Sequence, residues 1–73
     1  MLKTFFVPVE GYNGAPGWAM LEAKGECKID ALSAAQRMLR GHTYKSIWSP
    51  HTECPTVEYM DMLRTASDAR KSR

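Results

Sequence analysis

The sequence predicts an α+β fold: a three-stranded antiparallel sheet with one main helix packed on it, in the order β-β-α-β, followed by a C-terminal helix. Two early segments alternate in the period of two that is typical of strands. Residues 30–41 carry apolar side chains at helical spacing between a start signal and a stop signal. A chain of 73 residues forms one small domain, which we expect to span residues 1–73.

The first strand is predicted over residues 2–9, which are rich in β-branched and aromatic side chains. One of its faces carries Phe5, Val7 and Val9. Pro8 has no N–H group for a strand ladder, so we expect it at an edge of the sheet or at a bulge. Residues 10–17 are dense in glycine and proline and predict a long loop with Tyr12 at its tip.

The second strand is predicted over residues 18–26, and its two faces differ. The first face carries Ala19, Leu21 and Ala23, and the second carries Trp18, Met20, Glu22 and Lys24. A sheet face that no helix covers is in contact with water, where large apolar side chains are costly. Trp18, Met20 and the later Trp48 therefore either pack under the C-terminal helix or form an apolar anchor for a partner.

The main helix is the clearest element of the sequence. Asp30 can accept a hydrogen bond from a free amide of the first turn, and Gly41 can adopt the left-handed conformation that ends a helix. The predicted buried face consists of Ala31, Ala34, Ala35, Met38 and Leu39. The predicted solvent face consists of Ser33, Gln36, Arg37 and Arg40.

A third strand is predicted over residues 43–48, and a second helix after it. Pro55 is tolerated in the first turn of a helix, so we expect the helix to begin there. Its predicted buried face consists of Tyr59, Met62, Leu63 and Ala66, widened by Val57 and Met60. The pattern is lost from Ser67 onward, and we expect a frayed basic tail at residues 68–73.

The composition, with 44% hydrophobic and 25% charged residues, is that of a globular protein rather than a disordered one. No apolar run approaches the roughly 18 residues of a membrane span, and Pro8 and Glu10 interrupt the first apolar stretch. We therefore expect a cytoplasmic protein with no membrane partner. Cys27 and Cys54 are expected to be reduced thiols in that compartment, and a single bridge between them stays open as the alternative.

Four residues have side chains that bind zinc: Cys27, His42, His51 and Cys54. They do not form the two tight ligand pairs of structural zinc sites, so we expect no metal or other cofactor and a buried thiol at Cys27. His51 and Cys54 lack a neighbouring oxyanion-hole loop, and no catalytic motif is present. The glycine-rich loop leads into a strand rather than a helix, which disfavours a phosphate cradle. We expect no enzymatic activity.

The basic residues lie mainly in the second half of the chain. Arg37, Arg40 and Lys45 lie close in sequence to the aromatic residues Tyr44 and Trp48. Such a group can neutralise phosphates and stack on bases, and it is also typical of an ordinary solvated helix end.

From Trp18 to Trp48, the order is strand, alanine-rich capped helix, and the return strand Gly41-His-Thr-Tyr-Lys-Ser-Ile47. This order resembles the strand-strand-helix-strand units of small bacteriophage and mobile-element proteins that inhibit host machinery, such as anti-CRISPR proteins and phage inhibitors of bacterial RNA polymerase. The resemblance covers about 30 of the 73 residues. It implies a non-catalytic protein of the bacterial cytoplasm that binds and inhibits a host protein or nucleoprotein complex.

We therefore expect stoichiometric binding of a partner through one sheet face and the adjoining basic helix end. The expected partner-binding residues are Tyr12, Trp18, Met20, Arg37, Arg40, Tyr44, Lys45 and Trp48. One alternative is direct binding of DNA or RNA through the same basic end and the tail at residues 70–73. Another is a homo-oligomer in which an open sheet edge pairs with its own copy.

Overall fold

Three antiparallel strands and two helices make up the computed structural model, which describes residues 1–71. The elements are β1 (Lys3–Glu10), β2 (Trp18–Gly25), α1 (Lys28–Met38), β3 (Ser46–Ile47) and α2 (Val57–Lys71). β1 lies in the centre of the sheet, between β2 and β3. The predicted α+β class and its element order are confirmed.

Pro8 lies in the central strand, so the prediction of an edge position is wrong. Its carbonyl accepts a hydrogen bond of 2.9 Å from the backbone N–H of Trp48. On the same side of β1, Phe6 and His51 exchange two backbone hydrogen bonds of 2.7 and 2.8 Å. From Phe6 to Pro8 the chain advances by two residues, whereas the segment that pairs with it advances by three, from Trp48 to His51. The paired segment therefore contains one extra residue, which is a bulge. The bulge tolerates the missing N–H of Pro8, as the alternative interpretation expected.

The main core lies between α1 and one face of β1 and β2. As predicted, Phe5, Val7 and Val9 are buried in β1. Phe5 and Val7 form one cluster with Ala23 of β2 and with Ala31 and Ala35 of α1, and Leu39 is also buried. Gly25 allows the helix to approach closely, because a Cβ atom there would lie 2.7 Å from the backbone nitrogen of Ala31. Small side chains on both elements thus bring α1 close to the sheet.

Helix α1 begins earlier than predicted. Cys27 takes the N-cap position, and Asp30 lies in the first turn, where its Oδ2 accepts a 3.3 Å hydrogen bond from the backbone N–H of Glu26. Gly41 has a φ of 84° beyond the helix end, as predicted. Met38 is 48% exposed rather than buried, because the helix ends at this residue and its side chain is not enclosed.

Helix α2 packs on the opposite face of the sheet through only part of the predicted side, namely Met60 and Leu63, while Val57 and Ala66 are exposed. Met60 is fully buried, whereas Tyr59 and Met62 are 43% and 67% exposed. The helix directs Asp61 and Arg64 toward polar atoms of the sheet, and this rotation carries Met62 into solvent. The half-buried residues of this side are Leu63, Arg64 and Ser67.

The ends of α2 also differ from the prediction. Pro55 precedes the helix, and Thr56 caps it through a 3.1 Å hydrogen bond from the N–H of Tyr59 to its Oγ1 atom. The helix continues to Lys71, so residues 68–71 are helical where we expected fraying. Ser72 and Arg73, the end of the expected basic tail, lie outside the described residues.

Candidate functional site

Two loops contact each other at one end of the sheet. The backbone N–H of Asn13, in the β1–β2 loop, donates a 2.7 Å hydrogen bond to the carbonyl of Thr43, which precedes β3. The His42 ring lies 5.4 Å from the Tyr12 ring, and its Nδ1 atom is 3.3 Å from Oδ1 of Asn13. We call this region the basic loop surface and define it by Tyr12, His42, Tyr44 and Lys45, together with Arg37 and Arg40, which precede His42 in sequence at the end of α1.

Left-handed backbone conformations hold the β1–β2 loop in this position. Gly11 has a φ of 70° and Asn13 a φ of 52°, values that glycine and asparagine adopt more readily than other residues. Gly11 also lies against Lys45, because a Cβ atom on it would be 2.9 Å from the Cβ atom of Lys45. The lack of a side chain at Gly11 therefore lets the two loops pack together.

Positive charge dominates the basic loop surface. Arg37, Arg40 and Lys45 are all exposed. The chain contains no aspartate or glutamate between residues 31 and 52. The ammonium group of Lys45 is 3.9 Å from a carboxylate oxygen of Glu10 and the Lys45 side chain is 67% exposed, so this ion pair is weak. The surface therefore presents cations that acidic neighbours in sequence do not neutralise.

Glu10 has a stronger partner elsewhere. Its Oε2 atom accepts a 2.7 Å hydrogen bond from Nε of Arg64, and its Oε1 atom accepts a 3.1 Å bond from the Ser46 hydroxyl. The Glu10 side chain is only 13% exposed, so these bonds replace most of its hydration. The pairing of Glu10 with Arg64 was not predicted from the sequence. The spacing of residues does not show which face of a distant helix will pack against a carboxylate at the end of a strand.

The two tryptophans do not belong to the basic loop surface. They lie between the sheet and α2. Trp18 donates a 2.9 Å hydrogen bond from Nε1 to Asp61 of α2, and Trp48 donates a 3.1 Å bond to the Ser46 hydroxyl. Their rings pack edge to face at 5.5 Å. Met20 follows Trp18 by two residues in β2, so the two side chains lie on the same sheet face. The side chains of Trp18, Met20 and Trp48 are all half-buried. Helix α2 therefore covers much of the face that the sequence left open as an apolar anchor.

The structure thus divides the predicted partner-binding residues into two sets. One set is exposed or half-exposed on the basic loop surface: Tyr12, Arg37, Arg40, Tyr44 and Lys45. The other set is half-buried on the sheet face where Trp18 bonds to Asp61 of α2: Trp18, Met20 and Trp48. His42, one of the four residues with zinc-binding side chains, belongs to the first set through its contacts with Tyr12 and Asn13.

The other thiol and imidazole groups lie elsewhere. His51 and Cys54 line an open groove of about 490 Å³ beside the start of α2, where the His51 ring contacts the Tyr59 ring at 6.0 Å. Cys27 and Cys54 are free and exposed, so the prediction that Cys27 is buried is wrong. Within residues 1–71, no three histidine, cysteine, aspartate or glutamate residues come together in a way that suits a metal ion.

Comparison with known proteins identifies no relative: no family model, no curated protein and no solved structure matches this chain. Neither α1 nor α2 combines the length and the apolar character that crossing a bilayer requires, as judged over residues 1–71.

Proposed function

We propose that this chain is a non-catalytic binding protein that holds an acidic surface of a larger protein through its basic loop surface. The observation that carries this proposal is the exposure of Arg37, Arg40 and Lys45 in a segment without carboxylates. Inhibition of bacterial host machinery is the role that the resemblance adds, and it rests on that resemblance.

The arrangement of this surface suits association. Exposed cations attract an acidic partner over long range and raise the rate of encounter. Tyr12 and Tyr44 supply aromatic area, and aromatic side chains lose little conformational entropy on binding. The hydrogen bond between Asn13 and Thr43 already links the two loops, so less ordering is needed when a partner binds.

The site differs from the one that the sequence suggested. The sequence predicts Trp18, Met20 and Trp48 as the apolar anchors, but all three side chains are half-buried, and Trp18 bonds to Asp61 of α2. The proposed contact therefore moves from the sheet face to the end of the sheet, where the aromatic anchors are Tyr12 and Tyr44.

DNA or RNA is the second candidate partner. The specific observation in its favour is Tyr44, which is 42% exposed and directly precedes Lys45 in a segment that also holds Arg40. An exposed aromatic ring beside cations can stack on a base while the cations contact phosphates.

The first experiment compares two variants of equal charge. One variant, Arg37→Gln/Arg40→Gln, removes two charges from the basic loop surface, and the control, Lys3→Gln/Lys28→Gln, removes the same charge elsewhere. We expect the first variant to lose retention on heparin resin and capture of proteins from nuclease-treated bacterial lysate, while the control keeps both. Equal losses in the two variants would show that net charge alone drives binding and would contradict the proposal.

A second experiment separates the two partner classes. Binding of labelled single-stranded and duplex oligonucleotides is measured by fluorescence anisotropy at several salt concentrations. Affinity that falls steeply with salt, and that drops by about tenfold or more in Tyr44→Ala, would support nucleic acid, because stacking contributes about 1–3 kcal/mol per base. Protein capture that survives nuclease, without oligonucleotide binding, would support the acidic protein partner.

A further inference from the structure

The outer edge of β2 is an open, regular strand. β2 is eight residues long, contains no proline, and pairs with β1 without interruption from Trp18 to Gly25. The opposite edge of the sheet differs, because β3 has only two residues and is followed by the bulge beside Pro8. Short strands and bulges protect sheet edges from pairing with other chains. Within residues 1–71, the β3 edge has these two features, whereas β2 carries only the charged side chains of Glu22 and Lys24, which can also pair with opposite charges.

The hydrogen-bond pattern shows which backbone groups face this edge. In β1, the carbonyls and available N–H groups of Phe6 and Pro8 point toward β3. Successive residues of a strand direct these groups to opposite sides, so their neighbours Phe5, Val7 and Val9 bond with β2. The alternate residues of β2 therefore direct their N–H and C=O groups outward: Trp18, Met20, Glu22 and Lys24. In residues 1–71, no backbone group from another segment is bonded to them.

The charges along this edge are complementary to those of a second copy. Glu22 and Lys24 are exposed on the same face of the strand. If two β2 strands pair antiparallel around Ala23, Glu22 of each copy lies opposite Lys24 of the other. This register also joins outward-facing backbone groups to each other, since Glu22 and Lys24 both direct theirs to the open edge. A register centred on Glu22 would instead place two glutamates opposite each other.

We propose that two copies of this chain associate through their β2 edges and form one continuous six-stranded antiparallel sheet, with Ala23 on the two-fold axis. Backbone hydrogen bonds supply the contact, and the two Glu22–Lys24 pairs set its register. This inference is separate from the proposed function, because the β2 edge and the basic loop surface share no residue.

Charge reversal tests the register directly. In Glu22→Lys, lysines face each other across the proposed contact, and in Lys24→Glu, glutamates do. We expect each variant alone to dimerise about tenfold more weakly than the original chain in sedimentation equilibrium, because facing like charges are unfavourable. An equimolar mixture of the two variants restores opposite charges, and we expect it to form a heterodimer. Weak association of the mixture as well would overturn the proposed register.

Glu22→Pro tests the edge itself. It removes an outward N–H group that the fold does not use. We therefore expect a chain that is folded by circular dichroism and monomeric by sedimentation equilibrium. The control Glu22→Gln keeps that N–H group and is expected to retain measurable dimer. The charge-reversal mixture keeps the proposal testable if the proline variant fails to fold. A chain that remains monomeric up to millimolar concentration, or that dimerises equally well with Glu22→Pro, would overturn the proposal.

Discussion

At the scale of single residues, Met60 shows how one side chain positions an element. It is fully buried beneath α2, whereas Met62, two residues further along the same helix, is 67% exposed. Both residues are methionines, and they lie two positions apart in the same helix. Their difference in burial therefore gives a matched test of which side of α2 meets the sheet.

We expect Met60→Ala to lower the free energy of unfolding by about 2–5 kcal/mol, because it removes buried apolar contacts and leaves a cavity. Met62→Ala should change it by less than about 0.5 kcal/mol, since that side chain lies mostly in solvent. Urea denaturation followed by tryptophan fluorescence measures both. A larger effect at Met62 than at Met60 would show that the face of α2 is assigned incorrectly.

At the scale of elements, the capping of α2 depends on Thr56. Its hydroxyl oxygen accepts a hydrogen bond from the N–H of Tyr59 in the first turn. We expect Thr56→Ala to lower the free energy of unfolding by about 1 kcal/mol, whereas Thr56→Ser keeps the hydroxyl and most of the stability. Thr52→Ala, in the preceding loop, is the control. Thermal unfolding monitored by circular dichroism compares the three; equal midpoints would contradict a capping role.

The alternation of backbone direction along β2 leads to a prediction for hydrogen exchange. The amides of Ala19, Leu21 and Ala23 bond with β1, whereas those of Met20, Glu22 and Lys24 face the open edge. In dilute solution, where the chain is monomeric, we expect the second group to exchange markedly faster with deuterated solvent. Residue-resolved exchange measured by NMR checks this. Uniform protection along β2 in the monomer would contradict the observed register.

Local patterns were sufficient to predict much of the elements. The alternation of Phe5, Val7 and Val9 identified the buried face of β1, and Gly41 marked the end of α1. The position of Pro8 in the sheet and the packing face of α2 depend instead on contacts between residues that are distant in sequence. Pro8 is accommodated by a bulge formed about 40 residues later, and the face of α2 depends on the polar partners Glu10 and Trp18 that the sheet offers.

At the scale of the whole molecule, the candidate site was only partly predictable. The cations Arg37, Arg40 and Lys45 are close in sequence, so the sequence was enough to select them, and all three are exposed. The contact between Tyr12 and His42 did not, because it depends on the left-handed backbone that brings the two loops together. Whether a tryptophan is exposed is likewise a property of the assembled molecule, since α2 covers Trp18 from a distant part of the chain.

The position of α2 over the two tryptophans means that tryptophan fluorescence can detect the detachment of this helix from the sheet. Among the described side chains of α2, Met60 is the one that is fully buried, and contacts of Tyr59, Asp61 and Arg64 add to the attachment of the helix. We expect an element with one fully buried side chain to detach at a lower free energy than the core beneath α1. Its departure would leave both indole rings in water, so their emission would shift to the red while the strands were still paired.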